Sequence, residues 1–306
     1  MSAERRRTLQ VILAFAAIYV VWGSTYLAIK YAVETLPPLL MAGTRFLIAG
    51  SVLYLWDRSR GTPAPTRAQW RSAALIGAFY FLLGNGLLSW AEQRVPSGES
   101  ALLVATMPLW LVVFESLSGS APIPGVRIVA GIVLGLAGTA VLVAAPLPGN
   151  GHGVDLVGAV ALVVASATWA WGSLPAVRRR GPSSPFLGAG MQMLAGGTML
   201  VLVGSATGDL ARLDLGAVAL RSVLGWGYLI VFGSLVGFTS FAWLLHHVPP
   251  RRVATYAFVN PVIAVLIGWA LGGETLGPRV LVASVLVVAA VALIVTADHG
   301  EVPSEA

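Results

Sequence analysis

Two stretches of this chain lie 153 positions apart and carry one apolar pattern. Trp243 to Glu274, WLLHHVPPRRVATYAFVNPVIAVLIGWALGGE, sits over WAEQRVPSGESALLVATMPLWLVVFESLSGSA. Trp90 answers Trp243, Val95-Pro96 answers Val248-Pro249, Ala101 answers Ala254, Pro108 answers Pro261 and Gly119 answers Gly272. Each copy joins an apolar helix ending in a polar turn to a second apolar helix, which a proline interrupts near its start; Pro108 and Pro261 are the expected helix breaks. Duplicated hydrophobic segments interrupted at matching places are what a secondary transporter with two repeats looks like, and the interruption points towards its binding site.

The solvent for most of these side chains has to be lipid, because 57% of the 306 residues are hydrophobic and only 10% charged, against roughly a quarter charged in a soluble domain. Arg5, Arg6 and Arg7 precede an apolar run over 9–32 that is too long for a signal peptide and reads as an uncleaved first span. Further runs follow at 39–56, 72–91, 100–117, 126–145, 154–176, 186–206, 222–245, 253–271 and 279–297. Each suits a helix crossing a hydrocarbon core of about 30 Å. The expected fold is therefore all-α and polytopic, with ten transmembrane helices. An N-terminus in the cytoplasm puts thirteen arginines inside, Arg58, Arg71, Arg127, Arg178 and Arg251 among them. Lys30, Arg94, Arg212, Arg221 and Arg279 then lie outside, so both termini are expected to be cytoplasmic. Five spans per half is an odd number, and the halves must enter the membrane from opposite sides. That makes two inverted five-helix repeats, over 9–145 and 154–297, joined by the Gly-rich turn from Pro146 to Asp155. The tail from Asp298 to Ala306 is polar and reads as disordered. The net charge of +6 is scattered through short loops, which suits an anionic bilayer surface rather than nucleic acid.

In order and spacing these residues resemble the EamA group of the drug/metabolite transporter superfamily. The likeness is carried by Trp22-Gly23-Ser24-Thr25-Tyr26, Pro37-Pro38 followed by Arg45-Phe46, Val95-Pro96-Ser97, Asn260-Pro261 and Gly273-Glu274-Thr275, and it covers about 11–145 and 155–297. The resemblance implies ten spans from two repeats in a bacterial inner-membrane exporter of amino acids or related metabolites. One departure is visible: the family's glutamate after a glycine near the end of the fourth span falls at Ala121.

Arg45 is the single charge well inside a span, and such a charge marks a functional site by default. Its guanidinium fork suits a substrate carboxylate, although a snorkelling or helix-pinning role is equally open. Gln192 holds the corresponding position in the second half, so the two polar groups are expected to face one cavity. Trp22, Ser24, Thr25 and Tyr26 combine rings with hydroxyls in the first span, and Trp169, Trp171 and Ser173 repeat the combination in the sixth, either as interfacial belt or as cavity wall. Asn85, Ser89 and Trp90 are expected on one side of the third span, with Trp243 as the repeat of Trp90. Tyr256 and Asn260 are i, i+4 neighbours just before Pro261, whose ring removes a backbone bond near Ala257. Glu92 and Glu99 read as solvated residues of the outer mouth rather than proton carriers. His246 and His247 belong to a basic inside loop and cannot share a metal from adjacent helical positions.

No catalytic motif is present: there is no Gly-x-Ser-x-Gly, no His-Glu-x-x-His and no phosphate loop. With no cysteine either, no metal or cofactor is expected. Gly131, Gly135 and Gly138 in the fifth span read as tight helix packing or, alternatively, as a homodimer face. The sequence is thus read as a carrier moving a small solute by alternating access. The cavity is assigned to Trp22, Ser24, Thr25, Tyr26, Arg45, Asn85, Ser89, Trp90, Trp171, Gln192, Trp243, Tyr256 and Asn260. The alternative is a membrane-embedded enzyme acting on lipid-linked substrates.

Overall fold

A computed structural model describes residues 3–118, 125–144, 155–174, 182, 184–248, 253 and 255–297. Gly119, Ala121, Pro249, Ala254, the arginines at 178–180 and 251–252, the join at 146–154 and the tail from Asp298 lie outside the described residues, as does the side chain of His246.

The described residues form helices and turns without a strand. In chain order the α-helices are α1 (Ala3–Ala16), α2 (Trp22–Ala32), α3 (Pro38–Ser59), α4 (Arg67–Gly77), α5 (Gly86–Ala91), α6 (Ser97–Val104), α7 (Met107–Leu117), α8 (Val126–Ala144), α9 (Leu156–Ser173), α10 (Pro185–Ala206), α11 (Asp209–Arg212), α12 (Leu220–Tyr228), α13 (Gly237–His247), α14 (Tyr256–Gly272) and α15 (Pro278–Ala297). Three stretches are π-helical and fuse the helices on either side of them: Ala17–Val21, Ala78–Asn85 and Leu229–Val236. Seven continuous helices are long and apolar enough to cross a membrane: Arg5–Ala32, Pro38–Ser59, Arg67–Ala91, Ser97–Leu117, Leu156–Ser173, Pro185–Ala206 and Leu220–Leu244. Shorter apolar helices occupy Val126–Val141, Val259–Gly272 and Pro278–Ile294. Large apolar side chains such as Leu136, Trp269 and Val285 lie exposed on their outer faces, as a lipid-facing surface requires.

At the centre α3 packs against α10. A Cβ added at Gly43 would lie 3.0 Å from the Gly197 carbonyl oxygen, and one at Gly50 would lie 3.0 Å from that of Gly190. Small residues at these points let the backbones touch, which is how helices associate in lipid. Since the earlier glycine of α3 meets the later one of α10, the two helices run antiparallel. Their starts are fastened reciprocally. Asp209, just beyond the end of α10, accepts from the Leu39 and Leu40 amides at the start of α3, at 3.0 and 3.4 Å. Ser184 caps α10 by accepting from the Leu187 amide and donates at 2.8 Å to Asp57, near the end of α3. Around this pair Phe46, Phe81, Met193 and Leu200 are fully buried.

A second antiparallel pair is α8 with α15. Gly131 faces Ala290 and Ile294, while Gly138 faces Leu286 and Val287. The glycine stripe of the fifth span is therefore packed within the chain, and the homodimer reading of that stripe is corrected: its close-approach surface is already occupied by α15.

The two matching prolines act differently. Helix α6 stops at Val104, and α7 begins again at Met107 with Pro108 in its first turn, where a missing N–H costs little. By contrast Pro261 sits inside an unbroken α14. The expected second helix break is thus corrected: Pro261 removes one hydrogen bond without ending the helix.

Candidate functional site

The three π-helical stretches end or lie beside one partly open space. A π turn is wider than an α turn and recurs at functional sites because it displaces side chains and frees backbone groups. Trp22 follows the first, Asn85 closes the second, and Gly233 and Ser234 lie in the third. Trp22 Nε1 donates to the Gly233 carbonyl at 3.2 Å. Arg45 projects from α3 between the other two: its Nε donates to Ser234 Oγ at 3.1 Å, and its Nη2 to Asn85 Oδ1 at 3.4 Å. Asn85 is oriented in turn by donating to the Tyr80 carbonyl at 3.1 Å. The guanidinium carbon lies 4.2 Å from the centre of the Phe46 ring. Arg45 is 3% exposed, and its Nη1 has no hydrogen-bond partner.

The space measures about 110 Å³ and is partly open. Arg45 and Asn85 form one side of its wall. Trp22, Thr25 and Tyr26 of α2 form a second side, and Tyr256, Ala257, Asn260 and Pro261 of α14 a third. Trp22 meets Tyr256 edge-on at 5.2 Å and Phe238 at 5.3 Å, so the wall is aromatic around a single guanidinium. Asn260 Oδ1 is buried without a partner. Pro261 supplies no N–H to the Ala257 carbonyl, which leaves a second acceptor on the same wall. The site offers one cationic donor, two free acceptors and several ring faces. That set suits a small solute carrying a carboxylate, a donor group and an apolar body.

Of the thirteen cavity residues assigned from sequence, Trp22, Thr25, Tyr26, Arg45, Asn85, Tyr256 and Asn260 line the space, and the other six do not. Ser24 instead ties α2 to α12 through the Tyr228 hydroxyl at 2.6 Å. The face expected from Asn85 to Ser89 is displaced because the π turn ending at Asn85 shifts the register of α5. Leu88 reaches the wall, and Ser89 is buried beside it with its hydroxyl unpaired. Trp90 lies under the Arg94 guanidinium at 4.6 Å, and Trp243 stacks on His247 at 4.0 Å. In the sixth span Trp169, not Trp171, is on the wall. Two residues on a helix point almost oppositely, and Trp171 is 43% exposed against Phe114. Gln192 does not line the space, and only its backbone carbonyl is placed at the contact of α10 with Gly77 of α4, so the expected pairing with Arg45 in one cavity is corrected.

The sequence reading also missed a polar cluster beside this space. Glu274 follows Gly273, which adopts the left-handed φ of +65° that glycine tolerates. Its Oε1 accepts from Lys30 Nζ, the Ser97 amide and the Ser97 hydroxyl, all at 2.7 Å, and its Oε2 accepts from the Gly98 amide at 3.0 Å. A carboxylate at the first turn of α6 is favoured by the helix dipole as well. Burial would raise the Glu274 carboxyl, but Lys30, Gly98 and Ser97 together hold it below the ordinary glutamate value. Glu92 and Glu99, expected to be solvated, are each 4% exposed. Glu92 closes α5 and Glu99 lies in the first turn of α6, and both are turned inward. The signal available in the sequence was Lys30, a lone lysine at a span end whose charge needs a counter-ion.

Comparison with known proteins gives a consistent picture. The family model described as the EamA-like transporter family matches residues 9–144 and again 156–296. The chain is 39% identical over 294 residues to the uncharacterized inner membrane transporter YedA of Escherichia coli K12, covering 94% of this chain and 92% of that protein. It is 25% identical to the uncharacterized transporter YvbV of Bacillus subtilis, over 94% and 92%, and 28% identical to the protein PecM of Dickeya dadantii, over 90% and 88%. A solved crystal structure 20% identical in sequence shares the fold, with a TM-score of 0.64 over 93% of this chain and 96% of that one.

Proposed function

Since this chain belongs to the EamA-like transporter family, we propose that it is a secondary carrier of the inner membrane that exports small organic solutes of the amino-acid class by alternating access. In this reading the chain spans the bilayer ten times as two inverted repeats, 9–145 and 154–297, with both termini in the cytoplasm. The antiparallel pairing of α3 with α10 and of α8 with α15 supports the inversion, because each pair joins matching positions of the two halves. Trp22, Thr25, Tyr26, Arg45, Asn85, Tyr256 and Asn260 are the proposed solute contacts.

The observation that carries the reading is Arg45. A buried guanidinium normally has its donors satisfied, because an unpaired buried charge is costly. Here two nitrogens are fixed by Ser234 and Asn85 while Nη1 is buried and unpaired, on a residue that lines an aromatic-walled space. A solute carboxylate would fill that position. The test is efflux of radiolabelled amino acids from proteoliposomes containing the purified protein. Efflux well above that of empty liposomes, lost in Arg45→Ala, is the expected result. Liposomes that move no solute but chemically modify a lipid would sink the reading.

A further inference from the structure

The carrier reading leaves Glu92 without a task. This residue follows α5 one helical turn beyond Leu88, a wall residue of the solute space, with its amide bonded to the Leu88 carbonyl at 3.0 Å. Neither of its carboxylate oxygens makes a well-formed hydrogen bond, although both are buried. Its charge is felt on two sides. Glu274 and Lys30, the ion pair that joins the loop after α14 to the end of α2 and the start of α6, act on it from one side, and Arg45 from the other. Tyr26 of α2 also lies within reach of its charge. The pair is 2.7 Å long and, with the Ser97 and Gly98 bonds to Glu274, ties together segments from both halves of the chain beside the solute space.

We propose that Glu92 is a proton-binding site that sets this latch: with the proton on, Lys30 stays with Glu274 and the mouth beside it is shut; with the proton off, Lys30 is drawn to Glu92 and the mouth opens. The proposal rests on the carrier reading. Its physical basis is competition for one ammonium. A neutral Glu92 leaves Lys30 to its ion pair with Glu274. An anionic Glu92 adds a second anion, which both attracts Lys30 and repels Glu274. Burial first, and the Glu274 charge second, push the Glu92 carboxyl well above the ordinary glutamate value, with Lys30 and Arg45 pulling the other way. Burial of both carboxylate oxygens without a hydrogen-bond partner likewise favours the neutral acid in this arrangement. The proton comes from water at the latch face when the mouth is open and returns to water there on reopening, so no other reactant is needed. Glu99 feels the charges of Glu274 and Arg279 but not that of Arg45, does not line the solute space, and is not assigned this role.

The chain contains no cysteine, which makes the test direct. A reporter, Ala101→Cys, is placed on the wall of the solute space and labelled with a membrane-impermeant maleimide in right-side-out and in inverted vesicles across neutral to alkaline pH. Labelling is normalised to that of denatured protein at each pH. From the face bearing Lys30 and Arg279, labelling should rise severalfold with pH. With Glu92→Gln it should stay low and flat, with Glu274→Gln high and flat, and with Glu99→Gln it should rise as in the parent. A rise that survives Glu92→Gln overturns the latch proposal and leaves the carrier reading standing. Absence of labelling from both faces in every variant overturns the carrier reading and the latch with it. If Glu92→Gln does not reach the membrane, Lys30→Gln must remove the response to pH, and its persistence overturns the proposal equally.

Discussion

Pro108 and Pro261 occupy matching places in the two halves, yet their neighbourhoods have diverged. Neither can serve the carbonyl four residues back, Val104 in one case and Ala257 in the other. In the first half the loss is made good inside the protein. Ser166 of α9 donates to the Val104 carbonyl at 3.0 Å, and Thr106 donates to the Leu103 carbonyl at 2.7 Å and to Ser166 at 3.1 Å, so the helix separates cleanly into α6 and α7. In the second half α14 runs on through Pro261, and Ala257 is turned to the solute space. Arg45 and Gln192 repeat the contrast, one lining that space and the other not. The family model matches both halves, yet the polar chemistry is placed on them unequally.

The packing of α3 on α10 is tested first. Gly43→Leu and Gly197→Leu should each destabilise the protein at or above the upper end of the about 1–3 kcal/mol typical of overpacking, because each added side chain meets backbone. Thermal unfolding in detergent reads this, and a large effect at one glycine with none at the other would break the symmetry. Arg45→Ala should lower solute affinity by about tenfold to a hundredfold, the worth of a charged hydrogen bond at about 1.5–3 kcal/mol, while Gln192→Ala leaves it unchanged. Equal losses in binding titrations would return both residues to one site.

Smaller effects probe the two carbonyls. Ser166→Ala should cost about 1 kcal/mol of stability by leaving Val104 unserved, whereas Pro261→Ala should restore the Ala257 hydrogen bond, leave stability the same or slightly higher, and weaken solute binding. The smallest effect is on the pH profile of stability. Glu274 is held below its ordinary value, so its contribution is present above the unfolded value and is lost as the pH falls through the folded one. Glu92 is raised, so its contribution is present at low pH and is lost as the pH climbs from the ordinary glutamate value. Glu274→Gln should flatten the acid limb of the melting-temperature profile and Glu92→Gln the alkaline limb.

What could be read from the sequence was what repeats. The apolar runs became helices, the prolines before Leu39 and Phe186 opened α3 and α10, and Tyr256 with Asn260 took one face because α14 is regular. The unreadable parts trace to two physical causes. A π turn carries no simple residue signature, so the assignment of Ser89 and Trp90 by α-helical spacing missed by about one position, and Leu88 took the wall. The choice between Trp169 and Trp171 needed the direction of α9, which composition does not encode. The pairing of Lys30 with Glu274 spans 244 positions, and nothing local to either residue announces the other.

The reciprocal fastening of α3 and α10 bears on where movement can occur. With the glycines in backbone contact and each start tied to an acid near the far end of its neighbour, the two rods form a shaft that resists sliding or unscrewing. Arg45 is mounted on that shaft. In the proposed alternating access, where water would enter from one surface or the other, the guanidinium keeps its depth, like a fixed peg between two moving jaws.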